Sequence, residues 1–230
     1  MTNRYIFIYA SVMVIVVALI LSGAATLLRP RQERNMRIEK MQNILASVGI
    51  QASGEQAEEL YSQYITSTLV LNAQGEEIEG NAFDVDLQIE VDKDPEERML
   101  PLFISEIEGQ TYYIVPVRGS GLWGPIWGYV SLESDLSTIR GVNLDHSSET
   151  PGLGAEISQE PFEQQFAGKK IYNEQGEFTS VRVVKGGTPP EAPHQVDGIS
   201  GGTITSNGVT RMMQQGLGLY EPYFNQLRTS

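Results

Sequence analysis

The sequence predicts an α+β fold: one N-terminal transmembrane helix, then a domain with an antiparallel sheet and flanking helices. Three observations carry this reading. The 23 residues from Ile6 to Leu28 contain no Asp, Glu, Lys or Arg. Apolar segments at helical spacing follow them, and then a strand-rich middle of short apolar and β-branched runs bounded by turn residues. Helical stretches frame those strands, and neither an internal repeat nor a low-complexity linker interrupts them.

As a helix the apolar run spans about 34 Å, enough for a hydrocarbon core of ~30 Å. It is longer than a signal-peptide core of roughly 7–15 residues, and charges follow it directly, so a retained anchor is expected. Arg29, Arg31, Arg34 and Arg37 lie beyond the run and Arg4 before it. Taken alone, this count places the large domain in the cytoplasm. From Arg34 to Val48, the positions Ile38, Met41, Leu45 and Val48 fall at helical spacing, with Gly49 as the stop. Ser53 and Gln56 form a capping-box pattern opening a second helix through Leu60 and Tyr64. Strands are expected over Thr68–Leu71, with a turn near Asn72–Gly75. Val85, Leu87, Ile89 and Val91 alternate with polar residues and predict a half-buried strand. Leu102–Ile107 and Thr111–Val117 read as a hairpin around Gly109-Gln110. Further strands are expected over Pro125–Leu132, Ile139–Leu144 and Phe178–Val184, with helices over Glu160–Phe166 and Val209–Leu227. The organisation is therefore residues 1–30 as anchor, 31–66 as helical connection and 67–230 as the folded domain.

Composition narrows the chemistry. From Pro30 onward the chain has 14 basic and 29 acidic residues, a net charge of −15, which repels nucleic acid. There is no cysteine, excluding iron–sulfur clusters, thiolate zinc sites and disulfides. With only His146 and His194, a bis-histidine haem is disfavoured, and no metal site is expected. Any redox chemistry must rest on an organic cofactor.

Three stretches stand out. Asp197-Gly-Ile-Ser-Gly-Gly-Thr-Ile-Thr-Ser206 gathers hydroxyls and glycines just before a helical pattern that begins near Asn207. Glycines let a backbone approach a ligand, and a helix N-terminus offers unpaired N–H groups to a phosphate. The plain alternative is a polar turn leading into a helix cap. Gly119-Ser-Gly-Leu-Trp-Gly-Pro-Ile-Trp-Gly128 carries both tryptophans of the chain. Trp123 is positioned to cover a planar ring, whereas Trp127 serves equally well as a core plug. In His146-Ser-Ser-Glu-Thr-Pro-Gly-Leu-Gly154, Pro151-Gly152 fixes a tight turn. Glu149 and Thr150 supply polar groups there, and Leu153 an apolar face.

Asp197-Gly198 followed by Ser200-Gly-Gly-Thr-Ile-Thr-Ser206 resembles the flavinylation motif of FMN-binding domains, with Gly202 where alanine is usual. Gly-Leu-Trp-Gly, Glu-Thr-Pro-Gly-Leu-Gly and Ser-Gly-Gly-Thr-Ile-Thr-Ser-Asn-Gly-Val209, in that order behind an anchor, resemble the C subunit of the Na+-translocating NADH:quinone oxidoreductases. The G subunit of the related ion-pumping ferredoxin:NAD+ complex shares the last two motifs. A membrane-anchored binding domain without flavin is the alternative from a different class.

The resemblance implies an electron-relay subunit with FMN attached by a phosphoester to Thr203, put there by a flavin transferase. Ser200, Gly201, Gly202, Ile204 and Thr205 surround that residue, with Thr205 expected to cap the following helix. The flavin ring is expected between the Leu122-Trp123 loop and the Glu149–Leu153 loop, with Thr150 contributing and Lys185 a candidate partner for flavin or phosphate. No residue of the chain is expected to be catalytic on its own. The implied partners are the other subunits of the complex. The implied location is the bacterial inner membrane, single-pass, with the flavin domain on the periplasmic side.

Overall fold

A computed structural model describes residues 3–228; the extreme ends of the 1–30 and 67–230 segments, residues 1, 2, 229 and 230, lie outside it. Two compact units divide between Met41 and Gln42, inside the 31–66 stretch. The first is most of helix α1, Asn3–Ser47, which runs unbroken through Pro30. Every residue from Asn3 to Arg37 is exposed. The helix has a window of mean hydropathy 2.6, long and apolar enough to cross a membrane.

The second unit begins with the last turns of α1. Ile44 and Leu45 are fully buried, and Val48 nearly so. The helix ends where the sequence indicates: Gly49 has φ +87°. Its N–H donates to Ala46 O at 2.9 Å, and Ile50 N–H donates to Leu45 O at 3.0 Å, a Schellman closure. The Ser47 carbonyl, left over at the helix end, accepts from Ser131 Oγ.

Helix α2, Ala57–Tyr64, starts later than the capping-box pattern implies. Ser53 Oγ bonds the Gln56 side chain instead of a backbone N–H, so the box does not form. Strands β1 (Ile65–Leu71) and β2 (Glu77–Ile78) follow. The strand expected over Val85–Val91 is absent. Asp86 accepts from Gln88 N–H and opens a one-turn helix, α3, Leu87–Glu90. Ile89 is 59% exposed while Glu90 is buried, accepting from Met99 N–H and Lys93 Nζ. The local aspartate turn and the buried glutamate override the period-2 pattern.

Strands β3 (Leu100–Ile107), β4 (Gln110–Ser120), β5 (Pro125–Leu132) and β6 (Ile139–His146) complete a six-stranded antiparallel sheet in the order β2-β1-β3-β4-β5-β6. The β3–β4 turn sits on Glu108 and Gly109, at φ 53° and 77°, one residue earlier than expected and with the positive angles of a hairpin turn. Both faces of the sheet are covered. Leu102, Val115, Val117, Ile126 and Val130 pack in one core, and Phe103, Tyr112, Ile114 and Tyr129 in a second that includes Ile44 and Val48.

After β6 come a 3-10 turn over Gly154–Ser158 and the short helix α4, Glu160–Glu163. The strand expected over Phe178–Val184 reduces to β7, Arg182–Val184, which pairs in parallel with β8, Gln195–Asp197. Helix α5, Thr203–Gly218, starts four residues before the expected Asn207, and α6 covers Glu221–Arg228. Val209, Met212, Met213 and Leu217 line the buried face of α5 at helical spacing. A Cβ on Gly208 would lie 2.4 Å from Ser120 O, so only glycine lets α5 sit this close to the end of β4.

Candidate functional site

Strand register brings the three motif stretches together. Ser120 of β4 pairs with Pro125 of β5, and Ile126 with His146 of β6. The Gly121–Gly124 turn and the segment after His146 therefore leave the same end of the sheet. The Gly208–Ser120 approach brings the start of α5 to that end too.

Each loop has its own local cause. Gly121 N–H donates to Gly124 O at 2.8 Å, closing a turn with Leu122 and Trp123 at its tip, 47% and 67% exposed. Leu153 N–H donates to Thr150 O at 3.0 Å across Pro151 and Gly152, whose φ is +75°. Proline before a positive-φ glycine is the requirement of a type II turn. In the third stretch, Gly201 also has φ +75° and Gly202 N–H donates to Ile199 O. Ser206 Oγ accepts from Ile199 N–H at 3.2 Å, folding the stretch back onto α5.

A cleft of about 240 Å³ lies between them, lined by Leu122, Glu149, Thr150, Leu153, Gly201, Gly202, Thr203, Ile204 and Thr205, with Gly154. Ser200, Trp123 and Lys185 do not line it. Ser200 is exposed on the loop before it, and Lys185 is exposed just past β7. The Trp123 side chain is exposed at the turn tip, and it is the backbone N–H of Trp123 that reaches inward to Glu149. Trp127 is half-buried beneath the Arg118 guanidinium, 5.8 Å from its ring centroid.

The floor of the cleft is a carboxylate. Glu149, 5% exposed, accepts from Trp123 N–H at 2.8 Å and from Thr205 Oγ1 at 2.5 Å. Burial pushes its pKa up, but hydrogen bonds from Thr205 and from the Trp123, Leu122 and Gly124 N–H groups outweigh that and hold it below the ordinary glutamate value. One ionised side chain thus ties all three loops. A Cβ on Gly154 would fall 2.3 Å from Glu149 Oε2 and 2.5 Å from Thr205 Oγ1. Gly154 closes the floor, and the spacing of its motif was the only sequence signal for it.

The two threonines differ. Thr205 does not cap α5. The helix begins at Thr203 after an N-cap at Gly202 without a side-chain cap, so Thr205 lies inside the first turn, 1% exposed. Thr203 is exposed on the cleft. Gly202 itself is buried, and a Cβ there would lie 3.1 Å from Ile199 Cβ, a tight contact with the Ile199 side chain.

Chemically, the cleft offers an exposed hydroxyl and the unpaired N–H groups of a 16-residue helix whose first turn holds no acid. Leu122, Leu153 and Ile204, between 41% and 52% exposed, form an apolar rim. This set suits a ligand with a phosphate at one end and an apolar ring at the other.

Comparisons with known proteins agree. The FMN-binding domain model matches residues 121–218, the segment that holds all three loops. The chain is 36% identical over 222 residues to the C subunit of the Na(+)-translocating NADH-quinone reductase of Vibrio alginolyticus, covering 89% of this chain and 86% of the relative. The crystal structure of the corresponding C subunit of the Na(+)-translocating NADH-quinone reductase from Parabacteroides distasonis superposes with a TM-score of 0.80 at 44% identity, covering 86% of this chain and 96% of that one. Shewanella oneidensis NqrC gives a TM-score of 0.74 at 28% identity, covering 84% and 98%.

Proposed function

The chain belongs to the family of the C subunit of the Na(+)-translocating NADH-quinone reductase, and on that premise we propose that it carries FMN covalently, as a phosphoester on Thr203, and relays electrons between redox centres on other subunits. It is one subunit of an oxidoreductase and holds no complete active site of its own. The flavin supplies the electron chemistry; the chain binds and positions it.

The observation that carries the assignment is the contrast between the two threonines. A hydroxyl that a flavin transferase esterifies must be reachable. Thr203 is exposed at the first position of α5, while Thr205 is 1% exposed with its hydroxyl committed to Glu149. In this reading the first-turn N–H groups receive the phosphate oxygens, and Gly201 and Gly202 let the backbone come close. Leu122, Leu153 and Ile204 flank the ring, with Trp123 at its edge and Thr150 as a polar neighbour. At about 240 Å³ the cleft is small for a whole flavin. Part of a bound flavin would then lie outside the cleft, which suits a cofactor that must exchange electrons with partners while never dissociating. Lys185 remains a candidate for the flavin's outer side.

The relatives are named for the quinone reductase, which favours this reading over the G subunit of the ferredoxin:NAD+ complex. The FMN-binding match counts against a domain without flavin. Co-expression with a flavin transferase tests the site. Thr203→Val should fold and lack flavin by intact mass and by in-gel fluorescence after denaturation, and Thr203→Ser should retain the site. A fully flavinylated Thr203→Val protein overturns the assignment.

The exposed apolar helix fits a single membrane anchor. We place the flavin domain on the periplasmic side, from the family resemblance and against the arginine count. A phosphatase active only outside the cytoplasm, fused after Ser230, should be active; a silent phosphatase with an active cytoplasmic reporter reverses the orientation.

A further inference from the structure

The charges of this chain are sharply segregated. Arg29, Arg31, Arg34, Arg37 and Lys40 fall within 12 residues, offset only by Glu33 and Glu39, so this segment carries +3. Beyond Lys40 there are 10 basic and 27 acidic residues, a net charge of −17. The basic segment is no loop: α1 passes through it without a break, in the same unit as the apolar run. All four arginines are exposed, and Glu33 engages Arg29 at 2.9 Å.

Helix geometry fixes where these arginines stand. With ~1.5 Å rise per residue, Arg29, Arg31 and Arg34 follow Leu28 by roughly 2, 5 and 9 Å. The headgroup layer extends roughly 5–8 Å past the hydrocarbon on each side. Arg29 and Arg31 therefore lie within it, and the long stems of Arg34 and Arg37 can reach back towards it. At 3.6 residues per turn the four side chains spread over about 200° of the helix circumference, too wide for a stripe facing one neighbour. Each guanidinium matches a phosphate with two parallel hydrogen bonds.

We propose that Arg29, Arg31, Arg34 and Arg37 form a collar that binds the phosphate groups of anionic phospholipids at the membrane surface. The charge complementarity selects the occupant. An anionic lipid brings uncompensated negative charge, whereas a zwitterionic lipid carries its own ammonium beside the phosphate. The collar is also the part of the chain that a negative surface attracts, since the remainder at −17 is repelled. The proposal rests on reading Ile6–Leu28 as a membrane span and is independent of which side the domain occupies.

The test uses the flavinylated full chain in nanodiscs of mixed phosphatidylcholine and phosphatidylglycerol. Native mass spectrometry counts the lipids retained on release. The wild-type chain should retain phosphatidylglycerol about threefold or more above its supplied share, fading at about 1 M salt where screening is nearly complete. A chain with Arg29→Gln, Arg31→Gln, Arg34→Gln and Arg37→Gln together should retain the two lipids in the supplied ratio. Equal retention by the wild-type chain, or undiminished enrichment in the variant, overturns the collar and leaves the anchor standing. A chain that does not enter the discs overturns the anchor reading and the collar with it.

Discussion

The floor and the rim of the cleft are built on opposite terms, although they share the same three loops. On the floor, Glu149 and Thr205 are 5% and 1% exposed, joined by a hydrogen bond, and closed over by Gly154 without room for a methyl group. On the rim, Thr203 and Ile204 of the same helical turn face outward with Leu122 and Leu153. A helix places residues 203 and 205 about 200° apart, so one turn presents both surfaces. The floor fixes geometry through burial and charge-assisted hydrogen bonds. The rim, free of those obligations, can take a ligand and a modification. Stability and cofactor attachment should therefore separate by mutation.

The largest effect is expected from removing the shared tie. Glu149→Ala leaves the Thr205 hydroxyl buried without an acceptor, frees the N–H groups of the Leu122–Gly124 turn, and opens a void. Unsatisfied buried donors cost about 1–3 kcal/mol each, so a loss of about 3 kcal/mol is expected by urea unfolding of the detergent-solubilised chain. A change within experimental error would mean that the floor does not organise the site.

A smaller effect sharpens the comparison. Thr205→Val keeps the shape and removes one hydrogen bond to a carboxylate, at a cost of about 1.5 kcal/mol; the protein should still carry covalent flavin at Thr203. Thr203→Val should do the reverse, changing stability by less than about 0.5 kcal/mol, as exposed substitutions do, while losing the flavin. Both properties are read by urea titration and intact mass on the same samples. Loss of flavin in Thr205→Val with full flavinylation of Thr203→Val would exchange the roles of floor and rim.

How much of this was legible in the sequence follows from the range of the forces involved. The long apolar helix, the Gly49 stop and the central strands depend on local periodicity and chain chemistry, and they lie close to where the sequence places them. The segment Val85–Val91 reads as a strand and folds as a one-turn helix, because its fate depends on Asp86 capping its own backbone and on Glu90 meeting Met99 N–H nine residues away. The site motifs were legible as motifs, since glycine, proline and threonine spacing is local. Their roles were less so. Thr205 reads as a cap only if the helix begins at Asn207; with the start at Thr203 it turns inward to Glu149, 56 residues distant in sequence. No pattern within one stretch encodes that partnership, just as none reveals that Gly154 must leave room for it.

The mildest way to probe the floor is acid. Glu149 has a folded-state pKa below the ordinary glutamate value because Thr205 and three backbone N–H groups favour its charge against the effect of burial. A depressed pKa means that the unfolded chain takes up a proton more readily than the folded one. The contribution to stability is therefore complete above the unfolded value, near 4.5, and is lost as pH falls through the lower folded value. Against this background Glu149→Gln, which cannot ionise, should show a shallower fall of stability with pH below about 4.5 than the parent chain. The two curves should run parallel from pH 5 to 8, where Glu149 stays charged in both states. The measurement is a series of urea midpoints across the acid range. Identical slopes below pH 4.5 would show that the ionised form of Glu149 gains nothing from its donors. The floor would then be held by packing around Gly154 alone, and the contrast with the rim would be one of burial without charge.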